Sequence, residues 1–356
     1  MSLLGQSLSI KLRVPPHVQL KRSKWLGLFN LELGTEFMTK PEYFPSPPEG
    51  LIIDLVTPLT GAGTLDRAGV DRLAGRALPA ADALLAGSPL AGEALDLPVE
   101  IRKELFAHLL PLVGGMAPLI LGITGHSPEE TRDLALWVLE EARRRRYSGP
   151  LFLADLPLWY HSNRGLPQGL KALLAEAQLP LILLNLPQVV RRRGARFKHL
   201  NIRTHVFKKA AGLPEIRGLI FQGEMRRFLH YHHAAAARPG FAFYETDEER
   251  FLTRPGAWGV VSGGAQLLPG AWRRVARACL HPEEGAEDPQ GRYELWELSN
   301  RLRQVHQLSR GNPVALWKKA LAAQGVLAGG AAGMDQELAP GVAADKLLDL
   351  LAGFAD

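Results

Sequence analysis

The chain has 356 residues, 46% of them apolar and 22% charged, with 42 Lys and Arg against 36 Asp and Glu. That is room for one α/β barrel of about 250 residues with additions, in an ordinary globular composition. A net charge of +6 is too small to argue for nucleic acid; the single cysteine, Cys279, excludes an intrachain disulfide or thiolate zinc cluster; and no apolar run reaches membrane-spanning length.

Residues 1–49 read as an N-terminal arm. Ser7 to Val14 alternates polar and apolar residues, which predicts a strand. A basic cluster of Lys21, Arg22 and Lys24 follows beside Trp25, and Pro41-Glu-Tyr-Phe-Pro-Ser-Pro-Pro48 reads as an extended linker. An edge strand and strap packed on the rest of the chain is favoured over a partner contact. Met1 to Val14 lacks an apolar signal core, so export is not expected, and the lone cysteine fits a reducing cytoplasm.

From Gly50 onward, apolar runs of strand length alternate with amphipathic stretches of helix length. The runs are 51–56, 82–86, 118–122, 150–154, 180–185, 216–221, 240–244 and 257–261. The stretch Pro128–Arg146 opens with Pro128, Glu129 and Glu130 and closes on four arginines, the charge order that complements a helix dipole. Eight such units with near-continuous apolar strands predict an α/β fold, a closed parallel (β/α)8 TIM barrel over 50–282. Residues 283–356 read as C-terminal helices packed on it. No G-x-G-x-x-G follows the first strand, which argues against an open dinucleotide-binding sheet.

Several motifs occur in order along residues 50 to about 325. Gly50-Leu-Ile-Ile-Asp-Leu-Val-Thr-Pro58 precedes Gly63-Thr-Leu-Asp66. Gly92-Glu93 precedes Leu97 and Glu100-Ile-Arg-Lys103. Pro180-Leu-Ile-Leu-Leu-Asn-Leu-Pro187 precedes Pro214-Glu-Ile-Arg-Gly-Leu-Ile-Phe221. Gly256-Ala-Trp-Gly-Val-Val-Ser262 precedes Asn312-Pro313 with Lys318 and Leu321. Together they resemble the dihydrodipicolinate synthase / N-acetylneuraminate lyase family of pyruvate-handling class I aldolases. That resemblance implies a barrel with C-terminal helices, homo-oligomerisation, an oxo-acid or carboxylate ligand, and no cofactor.

The resemblance also marks departures. The family's Tyr, which relays protons, falls on Leu184, and its Schiff-base Lys falls on Ile220. No lysine occurs in 213–223. An aliphatic side chain forms no imine, because the reaction needs a free amine held near neutrality by burial or neighbours. Lys171, Lys198, Lys208 and Lys209 are expected in loops or on helix exteriors. The family's hydroxyl loop has become Gly87-Ser88-Pro89-Leu90-Ala91-Gly92-Glu93, keeping one hydroxyl at Ser88. Its Pro-Tyr-Tyr resembles Pro157-Leu158-Trp159-Tyr160.

Active sites of such barrels lie at the C-terminal ends of the strands. Asp54, Ser88 and Tyr160 are the candidate catalytic residues. Thr57, Glu93, Thr124, His126, Asn185, Arg191, Gln222, Glu245 and Ser262 are the candidate ligand contacts. Asp54 is the sharpest, since a carboxylate in an apolar strand is costly unless paired, and it reads equally as an acid/base or as a structural carboxylate. Asp54, Glu245, Asp247, His126 and His161 have the chemistry of a divalent metal site, but no spacing fixes them, and a solvated rim is favoured. His230 and His233 share a helical face, more readily turned to a neighbour or subunit than to a metal. The run Arg191 to His199 reads as a solvated basic loop, with anion capture at the mouth as its functional alternative. The readings left open are an altered lyase, a non-catalytic regulatory or partner barrel, and a lyase with a relocated lysine.

Overall fold

A computed structural model describes residues 44–194, 199–252, 257–285, 288–310, 313–329 and 341–354. The predicted arm strand, the basic cluster, Lys198 and the motif residue Asn312 lie outside them. All described residues belong to one unit, Pro41–Asp356.

The eight strands are β1 (Gly50–Asp54), β2 (Ala83–Ala86), β3 (Leu119–Gly122), β4 (Leu151–Asp155), β5 (Leu181–Asn185), β6 (Ile216–Phe221), β7 (Ala242–Glu245) and β8 (Gly259–Ser262). They pair in chain order, all parallel, and β8 returns to β1 through Gly50 opposite Gly259. Each is centred on an apolar run of the sequence, and all strand residues except half-buried Arg217 are buried. Both faces of a parallel sheet are covered in this fold, so the strands carry no polar stripe.

Between strands run α1 (Arg67–Ala77), α2 (Val99–Val113), α3 (Pro128–Arg144), α4 (Leu166–Ala177), α5 (Pro187–Arg192), α6 (Thr204–Ala211), α7 (Met225–Ala235), α8 (Glu248–Phe251) and α9 (Pro269–Leu280). The starts follow local chemistry. Asp66 accepts from Gly69 N at 2.9 Å to cap α1, and Ser127 accepts from Glu130 N at 3.2 Å to cap α3. α3 stops two residues short of the predicted Arg146, which takes a left-handed φ of 52°. Past the barrel, α10 (Pro289–Ser309) packs against α9, α11 (Pro313–Ala323) and α12 (Gly341–Ala352).

Two contacts fix which strand residues face the barrel axis. Phe221 packs against Phe228 and Tyr231 of α7, with ring centroids 5.6 and 5.7 Å apart, so it points outward. Asn185 is bonded to Ile202 N and to Asn201 outside the strands, so it points outward too. Side chains alternate along a strand. Ile220 and Leu184, one residue earlier in each strand, therefore face inward.

Glycine is needed where β3 passes the loop after β2. A Cβ on Gly122 would lie 1.9 Å from the Gly87 carbonyl oxygen, and Gly87 itself has a φ of +63°. This close approach lets the chain turn sharply into Ser88.

Candidate functional site

The polar residues at the C-terminal ends of the strands form several separate networks. The first centres on Asp54, the last residue of β1. Its Oδ2 accepts from Ser88 Oγ at 2.7 Å and from Ala91 N at 3.2 Å. Its Oδ1 is buried with no hydrogen-bond partner among the described residues. Burial pushes the carboxyl up to about 7, against the pull of the Ser88 and Ala91 bonds. Asp54 can therefore hold a proton at neutral pH. Ser88 Oγ also accepts from Leu90 N and Gly92 N, which ties it into the loop.

The second network centres on Asp155, the last residue of β4. Thr124 donates its hydroxyl to Oδ1 at 2.9 Å, and Tyr160 donates to Oδ2 at 2.6 Å. Leu156 N donates to Thr124 Oγ1 at 2.7 Å. Burial raises this carboxyl to about 6, while its hydrogen bonds pull the other way. Tyr160 is held well above the ordinary tyrosine value by burial and by the Asp155 charge beside it. The sequence carries the same signal at Asp155 as at Asp54, an acid ending an apolar strand, but Asp155 is not among the candidates read from it.

The other expected contacts anchor loops. Thr57 donates to Gly92 O at 2.8 Å. Asn185 Oδ1 accepts from Ile202 N at 3.0 Å, and its Nδ2 donates to Asn201 Oδ1 at 2.9 Å. Glu245 Oε1 accepts from the backbone N of Thr246 and Asp247 at 3.1 Å each. Ser262 donates to Glu248, whose other oxygen meets His306 Nδ1 of α10 at 3.0 Å. Gln222 is half-buried, with its backbone N on Asn185 O. Gln266, unremarked in the sequence, accepts from Val56 N and donates to Asp54 O and Gly263 O, joining the end of β1 to the turn after β8.

Glu93 meets Lys318 of α11 in an ion pair with both side chains fully buried. Burial pushes the Lys318 ammonium down, and the Glu93 charge restores part of the loss. The family resemblance had flagged both residues as motif members, but nothing in their spacing tied one to the other.

The arginines after β5 differ from the expected loop. Arg191 and Arg192 complete the helix α5, and Arg191 is exposed. Arg192 pairs with Asp96 at 3.1 Å. Arg193 donates to His126 O at 3.2 Å and lies 5.2 Å from the Trp159 ring centroid. This segment thus reaches the loops that follow β2, β3 and β4. The five residues weighed as a metal set are not brought together, and no cluster of three His, Cys, Asp or Glu suited to a metal occurs among the described residues.

Asp54, Thr57, Ser88, Glu93, Thr124, Asn185, Glu245 and Ser262 are each at most 1% exposed, so solvent does not reach these groups. The family profile described as the dihydrodipicolinate synthetase family matches residues 47–329. The chain belongs to that family. A 4-hydroxy-tetrahydrodipicolinate synthase of Xylella fastidiosa is 30% identical over 265 residues, covering 72% of this chain and 78% of the relative. One from Limosilactobacillus fermentum is 26% identical over 279 residues, covering 78% and 83%. The solved dihydrodipicolinate synthase of Bacteroides thetaiotaomicron superposes with a TM-score of 0.71 at 21% identity, over 87% of this chain and all of that one. The dihydrodipicolinate synthetase family assignment agrees with the closed eight-stranded barrel and with the C-terminal helices beside it. Among the described residues no helix is long and apolar enough to cross a membrane.

Proposed function

We propose that this family member has lost imine-forming aldol chemistry and works as a non-catalytic barrel, with a regulatory or subunit-partner role. The observation that carries the reading is the pair Leu184 and Ile220. They occupy the positions that resemblance gives to the family's tyrosine and Schiff-base lysine, and they are 1% and 0% exposed. Among the described residues the only buried lysine is Lys318, and its ammonium is committed to Glu93. A nitrogen on α11 engaged by a carboxylate is not the free amine on β6 that the imine reaction requires. Most of the polar side chains at the mouth hold loops in place, which leaves little to bind a substrate.

A second reading rests on one atom. The unpartnered Oδ1 of Asp54 sits on a carboxyl raised to about 7, beside the Ser88 hydroxyl. That is an acid/base group suited to a small oxo acid or carboxylate entering the barrel. Loop movement would have to open the path. The family also supports a homo-oligomer in the cytoplasm, without nucleic acid or cofactor.

Borohydride reduction in the presence of pyruvate, followed by intact-mass measurement, tests the first reading. No covalent adduct is expected. A lysine-bound pyruvyl adduct would overturn it, and its position would identify a relocated nucleophile. A melting-temperature series with 2-oxo acids tests the second, since a ligand of the native state raises that temperature. A rise lost in Asp54→Asn would favour the acid/base centre.

A further inference from the structure

We propose that the groove between α6 and α7, on the outside of the barrel, is a binding site for a small phosphorylated metabolite. The groove is an open cavity of about 590 Å3 lined by Arg203, Thr204, His205, Lys208, Arg227 and His233, with Ala234. That volume falls in the range of small-molecule sites. No lining residue is acidic. Arg203, Lys208 and Arg227 form no ion pair among the described residues, although carboxylates neutralise many other arginines of the chain.

Uncompensated cations held together repel one another, and a bound polyanion removes that cost. One nitrogen of the Arg203 guanidinium already meets His199 Nε2; its other N–H groups and the Arg227 guanidinium can meet phosphate oxygens, and Lys208 adds a point charge. A single carboxylate would leave most of this charge unused, so a phosphate or diphosphate group suits the groove better.

The walls are fixed before any ligand arrives. Asn163 Oδ1 accepts from Arg203 N at 2.7 Å, and Asn185 Oδ1 accepts from Ile202 N at 3.0 Å. The Tyr231 hydroxyl donates to Ile202 O at 2.5 Å, with Arg227 beside it. Phe207 of α6 packs on Tyr231 of α7 with centroids 4.6 Å apart. These bonds hold the two helices and the entry loop together, so the backbone needs no ordering on binding and the cost falls on the exposed Arg203 and Lys208 side chains. Through Asn185 the groove is tied to the end of β5, but its lining shares no residue with the mouth.

Isothermal titration of the full chain with inorganic pyrophosphate tests the assignment, with Lys208→Gln/Arg227→Gln as the disabling variant. Lys209→Gln/Arg226→Gln removes the same charge from neighbouring positions outside the lining. Saturable binding is expected in the wild type. It should weaken about tenfold or more in the first variant and by no more than about twofold in the second. Lys208→Gln alone, at an exposed position, gives a partial loss that misfolding cannot explain. No saturable binding, or equal loss in both double variants, would overturn the proposal. So would tight binding of a single-stranded RNA with no response to pyrophosphate. None of these outcomes bears on adduct formation in the barrel.

Discussion

Leu184 and Ile220 are register partners across the β5–β6 ladder, and both side chains point toward the barrel axis. Two aliphatic groups side by side make this wall of the barrel dry. Placing a charge there has a calculable effect. Ile220→Lys places an amine where nothing solvates it, so folding favours its neutral form and depresses its pKa. The unfolded chain then binds the extra proton, and stability rises with pH up to the ordinary lysine range. We expect a loss of about 3 kcal/mol or more at pH 7, partly recovered at pH 9, by urea denaturation.

Asp54 has the opposite sign. Its folded value of about 7 lies above the ordinary 3.8. Its contribution to stability is complete below about pH 4 and is lost as pH rises toward and through 7. Asn keeps an oxygen for Ser88 and Ala91 N and has no proton to lose. Asp54→Asn should match the wild type near pH 4 and exceed it at pH 8 by on the order of 4 kcal/mol. Melting curves at the two pH values check this. A constant gap would show that the carboxyl is ionised throughout.

The Glu93–Lys318 pair joins the loop after β2 to α11. Removing one partner strands the other charge in the core. Glu93→Gln and Lys318→Met should each cost about 3–5 kcal/mol in denaturant unfolding, while the double variant costs far less than their sum. Additive losses would mean that the two groups do not interact.

His306 Nδ1 meets Glu248 Oε2, which links α10 to α8. Burial pushes the imidazole down, but the hydrogen bond and charge of Glu248 together outweigh it, so its pKa is raised. The stability this pair provides is therefore present at acid pH and lost as pH rises through the raised value. An NMR titration of His306 should place its midpoint above that of a free histidine. Glu248→Gln should bring the midpoint down.

Much of the architecture was legible because it is local. Each strand of a parallel barrel is a short apolar run, each run is bounded by a helix signal, and counting eight of them specifies the ring. Leu184 and Ile220 were equally readable as aliphatic residues inside apolar runs, since residue identity needs no fold. The contacts of the strand ends were not legible, because the last residues of a run take their hydrogen-bond partners from loops and strands distant in the chain.

What only the tertiary structure decided is which distant groups meet. Asp54 and Ser88 are 34 residues apart, and Gln266 reaches Val56 across 210. No periodicity encodes such pairs. Lys318 was a motif letter until the fold buried it against Glu93, and Arg203, Lys208 and Arg227 were scattered surface charges until α6 and α7 enclosed a groove. Sequence by itself determined the barrel and the aliphatic identity of Leu184 and Ile220, because apolar spacing and residue identity are properties of the chain. Burial, and with it the upward shift of the Asp54 carboxyl, belongs to the folded molecule alone, because the energy of a charge depends on everything packed around it.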